Sequence, residues 1–136
     1  MRMKPVMSKR ILIIENNAVF RTTLKMRLEA AGYETVDAES GLEGLNAVRR
    51  ENPDLVITDI MLPGLDGHKV CRMIKFDRKL SRIPVIVLTS RDLDQDAEIA
   101  KQCGADAFVL KTTRPPILLE VIHRLLEREQ AAEEPS

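Results

Sequence analysis

The sequence predicts a doubly wound α/β domain with a parallel sheet, and three observations lead there. Short runs rich in Val and Ile recur at residues 11–14, 55–57, 84–88 and Ala107–Leu110, with a weaker run at Glu34–Ala38. Between them lie longer segments whose apolar residues are spaced three or four apart. The chain has 136 residues, enough for one domain and too few for two ordinary ones. Apolar runs this short suit strands buried on both faces, as in a sheet covered by helices on each side. Five strands alternating with five helices imply right-handed crossovers and a parallel sheet.

The helices follow in order. Phe20, Leu24, Leu28 and Ala31 share one face, and Gly32 stops that helix as a left-handed cap. Leu42, Leu45 and Val48 mark a second helix, started by Ser40 and halted before Pro53. Val70, Met73 and Ile74 mark a third, entered through the turn at 63–67. A fourth is expected over about 92–103 with Gly104 as its cap; only Ala97 and Ala100 face inward, so loose packing is expected there. The fifth carries the strongest stripe, Ile117, Leu118, Val121, Ile122, Leu125 and Leu126, with Pro115 and Pro116 suited to its first turn. Residues 128–136 are polar and read as a fraying tail.

Composition excludes several function classes. Hydrophobic residues make up 44% and charged residues 31%, the balance of a folded soluble chain. Lys plus Arg and Asp plus Glu each count 21, so direct binding to nucleic-acid phosphates or anionic lipid is not expected. No apolar run is long enough to span a membrane, and the basic start lacks the apolar stretch of a secretory signal. Cys71 and Cys103 make no disulfide framework and read as two reduced, buried thiols of a cytoplasmic protein. Phe20, Tyr33, Phe76 and Phe108 form no base-stacking platform. His68 and His123 lie on different helices and read as surface residues rather than a metal site. Gly41, Gly44, Gly64 and Gly67 build no phosphate-cradling loop. The basic residues Arg49 and Arg50, and those within 72–79, read as solvated helix faces.

Parallel sheets of this kind place their ligand at the carboxyl ends of the strands. The first strand ends in Glu15, Asn16 and Asn17, the third in Thr58 and Asp59, the fourth in Thr89 and Ser90, and the fifth in Lys111. Taken singly, an Asp after a strand is a turn or cap residue, a Lys is solvated, and a Thr-Ser pair caps a helix. Two carboxylates, a hydroxyl and an ammonium at successive strand ends are harder to dismiss.

In the stretches KRILIIENN, AAGYETVDAESGLEGL, PDLVITDIMLPGLDG, IPVIVLTS and GADAFVLKTT, the chain resembles the CheY-like receiver domains of bacterial two-component response regulators. The resemblance covers residues 9–127, leaving 1–8 and 128–136 as short flexible tails. It implies a flavodoxin-like sheet of order 2-1-3-4-5 and a phosphoacceptor signalling domain rather than an enzyme. Asp59 would accept a phosphoryl group from a histidine kinase or phosphotransfer protein, giving an acyl phosphate. Mg2+ would be held by Glu15, Asn16, Asp59 and the backbone carbonyl of Met61. Lys111 would pair first with Asp59 and then with a phosphoryl oxygen, and Thr89 would bond another. Phe108 matches the aromatic switch position, beside the plainer alternative of an ordinary half-buried aromatic. The implied partner face, for an effector or a second copy, is formed by the fourth helix, fifth strand and fifth helix.

Two positions depart from the family pattern. Asn16 stands where an acid usually supplies a metal ligand, and it offers one neutral oxygen instead, so weakened magnesium binding is expected. Thr112 follows Lys111 where proline is usual, so the loop is expected to run trans and to place Lys111 differently. The leading expectation is therefore a phosphorylated receiver. The alternative is a pseudo-receiver, an interaction module that works without phosphorylation. A small-molecule phosphatase fits poorly, since Met61 stands where a general acid would be needed. No stretch is left over for an output domain, which fits either a stand-alone receiver or a piece of a longer protein.

Overall fold

In the computed structural model, which describes residues 9–90, 98–99 and 101–133, five parallel strands form one sheet. They are β1 (Arg10–Ile14), β2 (Glu34–Ala38), β3 (Leu55–Asp59), β4 (Val85–Thr89) and β5 (Ala107–Leu110), in the order β2-β1-β3-β4-β5. Side chains alternate along each strand, so every central strand feeds two cores. Ile11, Ile13, Leu55, Ile57, Ile86 and Leu88 point to one side, and Leu12, Ile14, Val56, Val85 and Val87 to the other. Both sets are buried, which is why these strands read as unbroken apolar runs.

Among the described residues, two complete helices cover each side. Leu24 and Leu28 of α1 (Ala18–Ala30) and Leu118, Ile122, Leu125 and Leu126 of α4 (Pro115–Glu133) fill the first layer. Leu45 and Val48 of α2 (Gly41–Glu51) and Val70, Cys71 and Ile74 of α3 (Gly67–Lys75) fill the second. Their ends follow the expected chemistry. Asn17 caps α1 by accepting the Phe20 N–H at 2.9 Å, and Gly32 beyond it adopts φ +98°. Ser40 caps α2 by accepting the Glu43 N–H, and Asn52 closes it in the left-handed region before Pro53.

Several expectations need correction. Four helices rather than five are complete among the described residues. The expected fourth, 92–103, lies largely outside the described residues, as do Ala97 and Ala100; residues 98–99 and 101–102 are helical, and Gly104 has φ +85°. Leu42, Met73 and Ile117 lie in the helices that their spacing marks, but their side chains are exposed. Each sits at the edge of its helix's apolar arc; in α2 the inner place is taken by Gly44, where a Cβ would stand 2.4 Å from Ile14 Cδ1. Finally, α4 continues to Glu133, so residues 128–133 are helical where a fraying tail was expected. The stretch after Leu126 has good helix formers but no apolar stripe, so a pattern based on apolar spacing stops too early.

That extension is anchored. Arg128 Nη2 lies 2.8 Å from Asp106 Oδ1, while Asp106 Oδ2 accepts from Lys75 Nζ at 2.9 Å and from the Val85 N–H at 2.8 Å. This cluster ties α3 and α4 to the amino ends of β4 and β5. Cys71 and Cys103 are buried free thiols, with Cys71 Sγ 3.6 Å from the Cys103 carbonyl. Among the described residues, no helix is long and apolar enough to cross a membrane.

Candidate functional site

Strand register assembles the opposite, carboxyl edge. Ile14 pairs with Thr58, Asp59 with Leu88, and Thr89 with Leu110, so the residues that follow emerge side by side. Glu15 continues β1 through its N–H to the Ala38 carbonyl at 3.0 Å, and the Lys111 N–H bonds the Thr89 carbonyl at 2.7 Å. Glu15 and Asp59 are 2% and 7% exposed, unusual burial for carboxylates without a partner.

The partner is Lys111. Its Nζ stands 2.7 Å from Glu15 Oε1 and 3.1 Å from Asp59 Oδ2. Desolvation alone would lower the Lys111 pKa, but its contacts with Glu15 and Asp59 outweigh burial and hold it above the ordinary lysine range. One ammonium facing two carboxylates leaves an uncompensated negative charge at a buried edge. Asp59 Oδ1 accepts the Met61 N–H at 3.2 Å, and Glu15 Oε2 accepts the Asn17 N–H at 2.9 Å. Glu15 Oε1 has no well-aligned hydrogen bond and is held by charge. Buried hard oxygens carrying excess negative charge suit a hard cation such as Mg2+. The fit is lean, because no group of three or more His, Cys, Asp or Glu gathers among the described residues.

The structure thus brings together Glu15, Asp59 and Lys111. Thr89 is buried at the end of the adjacent strand. Asn16 is exposed, with its amide nitrogen 3.5 Å from the Glu39 carbonyl, and Met61 is exposed with its N–H turned to Asp59. Phe108 is half-buried against the α2/α3 core. No cis peptide bond occurs among the described residues, and across this trans loop Lys111 reaches both acids.

Three contributors escaped the sequence reading. Arg21, whose side chain is mostly buried, donates to the Glu15 carbonyl at 2.7 Å and pairs with Asp37 at 3.4 Å, fixing the loop after β1. Phe20, read only as a core residue, lies with its ring centroid 4.5 Å from Lys111 Nζ. Gly67 packs against the acid's own backbone, where a Cβ would stand 1.9 Å from the Asp59 carbonyl oxygen. Phe20 is set in turn by its helix cap, Asn17, which did leave a local signal: a capping residue type between a strand and a helix.

A five-stranded parallel sheet with a lysine bridging two buried acids at its carboxyl edge defines a receiver-type signalling domain. Residues 11–123 match the family model for the response regulator receiver domain, and the chain belongs to that family. This places it in two-component signal transduction, as a signalling domain rather than a conventional enzyme. It is 37% identical over 120 residues to the polar-differentiation response regulator DivK of Brucella ovis, covering 88% of this chain and 98% of that one. It is 38% identical over 118 residues to the transcriptional regulatory protein AfsQ1 of Streptomyces coelicolor, covering 87% of this chain but only 51% of AfsQ1. The chain therefore spans about half the length of AfsQ1 and nearly all of DivK. Among solved structures, the receiver domain of the Pseudomonas aeruginosa sensor histidine kinase PA1611 superposes with a TM-score of 0.82 at 28% identity, covering 88% of this chain and 98% of that one. That structure has a magnesium ion coordinated in its active-site cleft.

Proposed function

We propose that Asp59 accepts a phosphoryl group from the phosphohistidine of a histidine kinase or phosphotransfer protein, and that the domain signals through the resulting change of surface. The observation that carries this reading is the buried carboxylate pair bridged by Lys111. An Asp59 oxygen attacks phosphorus, the acyl-phosphate P–O bond forms, and the P–N bond breaks with its electron pair returning to the imidazole. Lys111 follows the charge from carboxylate to phosphoryl oxygen, and the Thr89 hydroxyl donates to another. Phe108, half-buried on β5 against the α2/α3 core, turns inward with Thr89.

Transfer of this kind needs positioning and charge neutralisation more than covalent help. Mg2+, when bound, supplies part of that neutralisation. Glu15, Asn16, Asp59 and the Met61 carbonyl would hold it, more weakly than a site with two acids after β1. The same groups assist the domain's own gain and loss of phosphate. We assign residues 9–127 to the receiver unit and place it in the cytoplasm, with no direct contact to nucleic acid or membrane. The effector, or a second copy, docks on the face formed by β5, α4 and the segment 92–103.

Labelling with acetyl phosphate tests this. Asp59→Asn abolishes labelling while shifting the unfolding midpoint by only a few degrees, since it also relieves repulsion with Glu15. Labelling that survives the substitution removes Asp59 from the role. Chemical-shift changes on labelling concentrate on β5 and α4; changes centred on α2 would move the partner face. One observation favours the pseudo-receiver alternative: Asn16 is exposed and adds no charge beside Glu15. A wild-type chain that neither binds Mg2+ nor labels would act as an interaction module.

A further inference from the structure

The contacts around Lys111 close into a ring. Glu15 Oε2 accepts the Asn17 N–H at 2.9 Å, and Asn17 Oδ1 accepts the Phe20 N–H at 2.9 Å. The Phe20 ring faces Lys111 Nζ with its centroid 4.5 Å away. That ammonium returns to Glu15 Oε1 at 2.7 Å and to Asp59 Oδ2 at 3.1 Å. Two walls of the lysine socket are therefore carboxylates and the third is an aromatic face, whose quadrupole attracts a cation without competing for a proton. The first turn of α1 fixes that face through the Asn17 cap.

We infer that Phe20 is a positioning residue for Lys111: its ring holds the ammonium between Glu15 and Asp59, where the chain lacks the usual proline after the lysine. The inference rests on the proposed phosphoacceptor role of Asp59 for its kinetic consequence, but its geometry stands apart from that role. A long, flexible lysine side chain has many rotamers, and each wall of the socket removes some of them. Phe20 also lines a mainly apolar cleft with Leu24, Leu88, Leu110 and Leu118. Simple packing there needs only an apolar side chain, whereas holding the ammonium needs the ring.

The experiment separates these two roles. In NMR spectra of the intact chain, ring current should shift the Lys111 Hε protons upfield of those of the other lysines. Phe20→Leu should erase that shift, and Phe20→Tyr should keep it. With acetyl phosphate, Phe20→Leu should slow Asp59 labelling about 3–10-fold, the effect of losing one partly desolvated cation–π contact. Phe20→Tyr should restore the rate, with similar unfolding midpoints for all three chains. Unshifted Lys111 Hε protons in the wild type overturn the inference without any variant, even if Phe20→Leu fails to fold. A Phe20→Leu chain that labels at the wild-type rate overturns it equally. A wild type that shows the ring-current shift but never labels supports the placement of Lys111 and instead defeats the phosphoacceptor reading.

Discussion

If Glu15 and Asp59 hold Mg2+ as proposed, Asn16 is the position at which the strength of that site is set. A carboxylate in its place would add a unit charge near the cation, worth about 4 kcal/mol at ~4 Å and an effective dielectric of 20. A divalent ion gains about twice that, and desolvation returns most of it. A net difference of about 1–3 kcal/mol remains, or one to two decades in affinity. Asn16→Asp is therefore expected to tighten Mg2+ binding by about one to two decades and to speed Asp59 labelling with it. The chain has no Trp, so calorimetry or NMR titration makes the measurement. Equal affinity in the two proteins would place Asn16 outside the ligand shell.

Elements show how far apolar spacing reaches and where it stops. The central strands β1, β3 and β4 were legible because buried parallel strands are rich in Val, Ile and Leu, and the edge strands β2 and β5, only partly buried and with weaker patterns, still fell on their expected residues. The acids, Thr89 and Lys111 were legible because strand ends mark them. The contacts that position them were not, because Phe20, Arg21 and Gly67 act through distances that only the packed chain defines. The same holds for Asp106, an unremarked residue that joins α3, β4 and α4. Burial alone would raise its pKa, but Lys75, the Val85 N–H and Arg128 outweigh that and hold it below the usual carboxylate value. A depressed folded pKa stabilises above the unfolded value of about 3.9 and loses its contribution as pH falls through the folded value. Asp106→Asn should therefore cost about 2–4 kcal/mol at neutral pH, chiefly by leaving the mostly buried Lys75 ammonium without its partner. Urea unfolding of both proteins checks this, and the gap should shrink as acid protonates the wild-type carboxylate. A gap that stays constant into strong acid would show that the carboxylate's charge contributes nothing.

At the scale of the molecule, the alternation within the strands governs how the fold comes apart. Each of β1, β3 and β4 sends neighbouring residues to opposite cores, as Ile13 and Ile14 do, so neither helical layer can leave without exposing the sheet that the other covers. Such an arrangement favours one cooperative transition, as is usual for single domains of this size. Far-UV circular dichroism follows both layers together, Tyr33 fluorescence follows the α1/α4 layer against which that residue packs, and amide resonances of α3 follow the other. In urea the three transitions should coincide, with a slope of about 1–3 kcal/mol per molar. Ile122→Ala removes a fully buried side chain from the first layer and Ile74→Ala one from the second, each costing about 2–5 kcal/mol. If the sheet couples the layers, either substitution lowers all three midpoints by the same amount. A Tyr33 transition that moves with Ile122→Ala while the α3 resonances stay in place would mean that the layers unfold separately, and that a surface change at one face need not reach the other.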